Sequence, residues 1–216
     1  MKKHSNIIQG SLEWHEIKWG KIGGSTSKGL FVKSDTLFLD ILSQKIEDFE
    51  LEDNFSNSAM EHGTENEPIA REYLEKYLNV KFEVPGWLQS EQNELLGISP
   101  DGLTSDNKIA CEIKCLGRKA HTEIIYTNEI PLDKINQLIH YFTVNPDLEK
   151  LYFIAFRKES VKQFIKCLTM DSLVNIGTNA KPNIVTIRDA KDYSIEMSNI
   201  LKAKIDKAIT DLTAEF

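Results

Sequence analysis

The sequence predicts an α/β (α+β) fold, a central mixed β-sheet flanked by helices, formed as a single domain over residues 1–216. Three observations predict it. The length suits one well-packed core and is short for two. A hydrophobic share of 41% against a charged share of 27% is that of an ordinary globular chain. Above all, the apolar spacing is helical around residue 70, strand-like between 80 and 115, and helical again beyond 130.

Taken in order, residues 11–35 begin with a short helical pattern (Leu12, Trp14, Ile17) and pass into the turn Gly23-Gly24-Ser25-Thr26-Ser27. Residues 47–58 are acidic and rich in Asn and Ser, as an exposed loop is. Ser58 is placed to N-cap a long helix, along which Ile69, Ala70, Tyr73, Leu74, Tyr77 and Leu78 share one apolar face. Short strands follow at 81–84, 87–89, 95–98 and 109–115, separated by turns at Pro85-Gly86, Pro100-Asp101-Gly102 and Asp106-Asn107. A second helix carries Ile135, Leu138, Ile139 and Phe142 at the i, i+3, i+4, i+7 positions of an amphipathic face. Residues 152–156 and 161–168 read as a strand pair, and 184–187 as one more strand. Ile200, Leu201, Ile205, Ala208, Ile209 and Leu212 make a C-terminal amphipathic helix, most simply core and also suited to an oligomer interface.

Composition excludes some classes. No apolar run reaches the roughly 18–20 residues of a membrane span. The basic N-terminus has no apolar stretch behind it, unlike a secretory signal. Three cysteines, an odd number without a CxxC pair, support neither a disulfide framework nor a structural zinc, so a cytosolic protein is expected. The net charge of −7 argues against nonspecific coating of nucleic acid, though a local basic groove could still hold phosphates. Lys18, Lys21 and Lys28 cluster sparsely around the glycine-serine turn, whose N–H groups suit a phosphate as well as a plain solvated loop.

The informative stretch runs from Gly97 to Cys115. Asp101 sits in a turn after a strand, and Glu112-Ile113-Lys114 follows inside another strand. Alternation puts Glu112 and Lys114 on one face, leaving Cys111, Ile113 and Cys115 to the core on the other. Holding an acid and a cation together in a half-buried site is costly without a use for them. Phosphodiester hydrolysis is such a use. Mg²⁺ prefers carboxylate oxygens and retained waters, so Asp101 and Glu112 could bind it together, with Mn²⁺ also suited to the oxygen-rich site. The ion would activate water and neutralise the scissile phosphate, and Lys114 could orient or deprotonate that water. Taken alone, Glu-x-Lys on a strand is more often a solvated face.

The motif stands within a series of segments, in order. Trp14-His15-Glu16-Ile17-Lys18 runs into Gly20-Lys21-Ile22-Gly23-Gly24-Ser25; a long helical stretch carries Gly63 and Glu67-Pro68-Ile69-Ala70-Arg71; Ser99-Pro100-Asp101-Gly102 precedes Glu112-Ile113-Lys114-Cys115; and Gln137 follows on a helix. Across roughly residues 10–157 this series resembles the phage lambda-type exonucleases, the YqaJ-like viral recombinase family of the PD-(D/E)xK nuclease superfamily. The resemblance implies a restriction-endonuclease-like core and a DNA exonuclease working from duplex ends, 5′→3′. It implies Asp101 and Glu112 as metal ligands with the Ile113 carbonyl, and Glu67 toward a second ion. Lys114 becomes the catalytic lysine, Gln137 a residue positioning water or phosphate, and Lys18 and Ser25 a grip on a 5′ phosphate. It further implies a trimeric ring on double-stranded DNA, a single-strand-annealing partner, and a phage or prophage gene acting in the bacterial cytoplasm. Three positions depart from the family pattern. Lys18 replaces an Arg and lacks its bidentate fork, Leu116 replaces a Pro, and Ile139 replaces a second Gln.

Two other functions fit the same core: an endonuclease of restriction or repair type, and a DNA-binding relative without chemistry. Retention of Glu67, Asp101, Glu112 and Lys114 speaks against the second. An iron–sulfur nuclease would need four thiolates. Among the histidines only His62 lies near a motif, and His121 and His140 read as surface or packing residues. Trp14 and Trp19 could stack on an end base, although core packing suits Trp14 better. Arg118-Lys119, directly after the motif strand, could touch a DNA backbone.

Overall fold

A computed structural model describes residues 1–32, 34–51 and 58–214, and the side chains of all of these but 58–64. His62 and most of the loop expected at 47–58 therefore lie outside the described side chains, as does the capping group expected at Ser58.

The central sheet has four strands, β4 (Gly102–Leu103), β5 (Ile109–Cys115), β6 (Lys150–Phe156) and β7 (Phe164–Leu168), in that order. β4/β5 and β6/β7 are antiparallel and β5/β6 parallel, so the sheet is mixed, as expected. Parallel neighbours need a long crossover. Here it is two helices, α4 (Arg118–Thr127) and α5 (Leu132–Val144). A second sheet joins β1 (Lys2–His4), β2 (Trp87–Gln89) and β3 (Gly97–Ile98), and a ribbon pairs β8 (Leu173–Asn175) with β9 (Ile184–Thr186). Further helices are α1 (Leu12–Lys18), α2 (Thr36–Ile46), α3 (Ser58–Leu78) and α6 (Ile187–Ala214), with a 3-10 turn at Ser27–Phe31.

Alternation along β5 and β6 fills two cores. Ala110, Leu151, Phe153 and Ala155 pack with α5, α6 and α2. Cys111, Ile113, Ile154 and Phe156 pack on the other face against Ala70 and Leu74 of α3. Helices on both faces explain why these strands are apolar on both sides. Glu112 lies on the α5 face with Ala110, and that fact positions the site.

Several expectations need correction. Residues 81–84 form no strand; Glu83 makes a lone bridge to Leu103. The strand expected at 95–98 is confined to 97–98, and the turn expected at 100–102 ends one residue early because Gly102 opens β4. The strand expected at 161–168 starts at Phe164, and Ile187 opens α6 instead of closing a strand. Among the described side chains of α3 only Ala70 and Leu74 are buried, while Ile69, Tyr73 and Tyr77 are exposed, since the sheet covers a narrower stripe than the apolar face offers.

Candidate active site

Asp101 stands where the β4/β5 hairpin stops pairing. Gly102 faces Cys111 in the register, and the next hydrogen-bonded position would set Pro100 against Ile113. Proline has no N–H to give. The Ile113 N–H donates instead to Asp101 Oδ2, at 2.6 Å. The N–H and C=O of one strand residue serve the same edge, so the Ile113 carbonyl also faces the Asp101 side. The Pro-Asp pair thus converts a strand edge into a carboxylate held against free backbone.

Glu112 is 1% exposed. Its Oε2 accepts the Tyr141 O–H of α5 at 2.6 Å, and its Oε1 is ion-paired with the Lys114 ammonium. Glu67 comes from α3. It is ion-paired with Arg71, whose Nε donates to the Asp101 carbonyl at 2.5 Å, so a single guanidinium ties the helix acid to the turn acid. Glu67, Asp101, Glu112 and Lys114 are therefore one electrostatic cluster built from α3, the β4 turn and β5. Burial first, then repulsion from Glu112 and Glu67, holds the Asp101 carboxyl well above the usual carboxylate range. Burial likewise raises Glu67, with Arg71 opposing and Glu112 adding to the rise. Burial alone would strip the proton from Lys114, but Glu112 and Asp101 outweigh it and hold the ammonium above its ordinary range. The neighbouring Cys115 thiol is pushed up to about 11, chiefly by burial, and is not a nucleophile at neutral pH.

Gln137 lies one turn before Tyr141 on α5 and packs against the glycine-serine turn. A Cβ on Gly24 would sit 3.0 Å from its Cγ and 3.3 Å from its Nε2. The turn is fastened from below by His140, which is 1% exposed and whose Nε2–H is shared between the Ile22 and Gly97 carbonyls at 3.2 and 3.0 Å. His140 and His121 are both packing residues, the latter beside Gln163 at 3.3 Å. Ile139 is fully buried, so a second glutamine there would have no access to the site.

Lys18 and Ser25 occupy the flank. The Lys18 ammonium sits 3.3 Å from the Trp14 ring centroid, and Trp14 Nε1 donates to Ser99 Oγ at 2.7 Å, two residues before Asp101. Trp14 is thus a structural bridge between α1 and the acid turn. Burial lowers Lys18 to about 8. Ser25 is exposed next to Gly24. Among the described residues neither makes a hydrogen bond or ion pair with the four-residue cluster.

Among the described residues no three His, Cys, Asp or Glu side chains converge closely enough to hold an ion unaided. Mg²⁺ does not require that. It keeps several waters and is commonly bound by one or two carboxylates together with substrate phosphate. Glu112 Oε1 is buried and is paired with the Lys114 ammonium. A buried carboxylate oxygen in electrostatic contact with the Asp101 carboxyl is of the kind a hard cation takes.

Sequence reasoning missed Tyr141 and Arg71 as site residues. Arg71 closes the Glu67 segment at i+4, the spacing of a helical ion pair. Tyr141 follows Gln137 by one turn, so it shares the face that reaches the sheet.

His140 sets an acid limit on the fold. Burial lowers its imidazole to about 4, and its folded value lies below the ordinary 6.5. The stability it contributes is present above about pH 6.5 and is lost as pH falls toward 4. The full loss is about 3 kcal/mol. Urea unfolding between pH 7.5 and 4 should show this slope, and His140→Gln should flatten it. An equal slope in both proteins would place the acid sensitivity elsewhere.

The comparisons agree with this architecture. A family model described as the YqaJ-like viral recombinase domain matches residues 13–145, which hold every site residue above. No curated protein matches in sequence. The crystal structure of an alkaline exonuclease, LHK-Exo, from Laribacter hongkongensis superposes with a TM-score of 0.72 at 19% identity, covering 95% of this chain and 100% of that one. LHK-Exo in complex with dAMP gives a TM-score of 0.72 at 20% identity, with the same coverage. At such identity the superposition establishes the fold alone, a mixed sheet between helices. With its family model matched over well more than half its length and the motif residues gathered in one site, the chain belongs to the YqaJ-like viral recombinase family.

Proposed function

We propose that the chain is a Mg²⁺-dependent deoxyribonuclease that hydrolyses duplex DNA from its ends, 5′→3′, leaving single-stranded tails for phage-type recombination in the cytoplasm. The observation that carries this is the meeting of Asp101, Glu112 and Lys114 in one electrostatic cluster, with the ammonium paired to a buried Glu112 oxygen. LHK-Exo is an alkaline exonuclease, which supports the reaction class, and dAMP in its complex is the size of unit that stepwise cleavage at an end releases.

Asp101 and Glu112, with the Ile113 carbonyl, would hold one ion, and Glu67 would help hold a second. Bound there, Mg²⁺ or Mn²⁺ supplies Lewis acidity toward the phosphate and its attacking water. Lys114 offers a fixed ammonium to the charge that develops on phosphorus-bound oxygen. Gln137 has a side-chain amide free to orient water or phosphate from the α5 side. Lys18 and Ser25, on the flank of the cleft, receive the 5′ phosphate. Contacts of this kind read backbone and not bases, so cleavage is sequence-independent. A trimeric ring would keep an acidic chain on its duplex by topology, and an annealing protein would take the exposed strand.

The test is digestion of linear duplex, with and without 5′ phosphates, beside closed circular DNA, in Mg²⁺ and in EDTA. Loss of the linear form alone, dependent on the cation, is expected, with Lys18→Ala reducing any advantage of the 5′ phosphate. Cutting of the circle would assign an endonuclease, and binding without cleavage a DNA-binding relative.

A further inference from the structure

We infer that Tyr141 is a positioning residue that fixes the Glu112 carboxylate and determines which of its oxygens remains open to a divalent cation, an inference resting on the metal-dependent reading above. Tyr141 and Glu112 are each 1% exposed. The phenol has one proton and two acceptors in reach, Glu112 Oε2 at 2.6 Å and the Cys111 carbonyl at 3.2 Å. The shorter bond, to a charged oxygen, takes the proton. A glutamate's terminal torsion is otherwise broad and two-fold, so an untied Glu112 could turn either oxygen outward. With Oε2 held, Oε1 is the atom that meets the Lys114 ammonium and is turned outward.

A buried carboxylate without compensating positive charge is costly. Positive charge at Oε1, from Lys114 and from a cation shared with Asp101, removes that cost. Tyr141 rises from the same helix as Gln137, one turn on, so α5 sets both the acid and the amide. A plain packing role predicts something different. The ring alone would then suffice, and phenylalanine would replace it without effect on the cation.

The experiment is calorimetric titration of the full chain with Mn²⁺ in the absence of DNA, beside thermal unfolding and cleavage assays. Tyr141→Phe should raise the Mn²⁺ dissociation constant about tenfold, the lower end of what loss of a group supporting a metal ligand costs. Cleavage should return toward the wild-type rate at saturating Mn²⁺. Tyr126→Phe, at an 88% exposed tyrosine, should change neither. Unchanged Mn²⁺ affinity with a lowered melting temperature would make Tyr141 a packing residue and overturn the inference alone, provided the wild type binds Mn²⁺ and cleaves. A wild type that does neither would remove the reading beneath it as well. If Tyr141→Phe does not fold, 3-fluorotyrosine in the wild-type chain serves. One of its six tyrosine resonances should move with Mg²⁺ addition and stay fixed in Glu112→Gln, and no movement at all would overturn the inference.

Discussion

Lys114→Ala is expected to lower the rate of DNA cleavage by about 10²–10³-fold, the range seen when one preorganised donor to a developing oxyanion is removed, while Mn²⁺ still binds. Glu112→Ala should do the reverse in binding, abolishing Mn²⁺ affinity together with activity. The contrast follows from the positions of the two groups. Glu112 is an interior oxygen donor, whereas Lys114 reaches past it, with 29% of its side chain exposed. Loss of the ammonium leaves Glu112 Oε1 facing nothing, so the metal-free variant should also be less stable and should regain stability when Mg²⁺ is added. Single-turnover cleavage and Mn²⁺ calorimetry on both variants decide the matter. Cleavage by Lys114→Ala within tenfold of the wild type would sink the role given to Lys114.

Much of this site was legible because strand alternation is a strict geometric rule. Glu112 and Lys114 had to share a face, and Cys111 and Ile113 had to share the other, whatever the rest of the chain did. Gln137 is marked by family pattern alone, and the structure packs it against Gly24. What escaped was the set of residues that hold the site residues. Tyr141 falls inside an apolar run, Leu138 to Val144, where an aromatic ring reads as core; only its partner's location reveals that the hydroxyl has work to do. Arg71 reads as a surface ion pair of α3, and its second bond, to the Asp101 carbonyl, spans 30 residues of sequence.

Among the elements, α4 was invisible because its stretch Arg118–Thr127 is polar, with only His121 and Ile124 buried. Its stop signals were nonetheless present: Asn128 takes the left-handed conformation at φ 55° and Pro131 precedes α5. α2 had a helical pair in Leu37 and Ile41, but exposed Leu39 blurs the pattern. β1 has three residues and pairs with β2, 83 or more positions away, a contact that no local pattern encodes.

In metal-free buffer Asp101→Asn is expected to melt above the parent chain, although it loses cleavage. Burial, then Glu112 and Glu67, raise the Asp101 carboxyl above its unfolded value. A raised acid contributes its stability below the ordinary aspartate range, near pH 4, and that contribution is lost as pH rises through the folded value. At pH 7.5 the parent therefore holds an acid whose ionisation works against the fold. Asparagine is close to isosteric, still accepts the Ile113 N–H and carries no charge. The gain should be about 1 kcal/mol or more, which for a chain of this length is about 2–4 °C per kcal/mol. His140 does not confuse the comparison, because its loss of stability is confined below about pH 6.5. Mg²⁺ should raise the melting temperature of the parent and leave the variant nearly unmoved, closing or reversing the gap. That result would mean that these acids are gathered for a cation and not for the fold. An Asp101→Asn chain that melts below the parent in EDTA at pH 7.5 would show that the bond from Ile113 to an ionised carboxylate outweighs the repulsion, and that the acid cluster is a stabilising element in its own right.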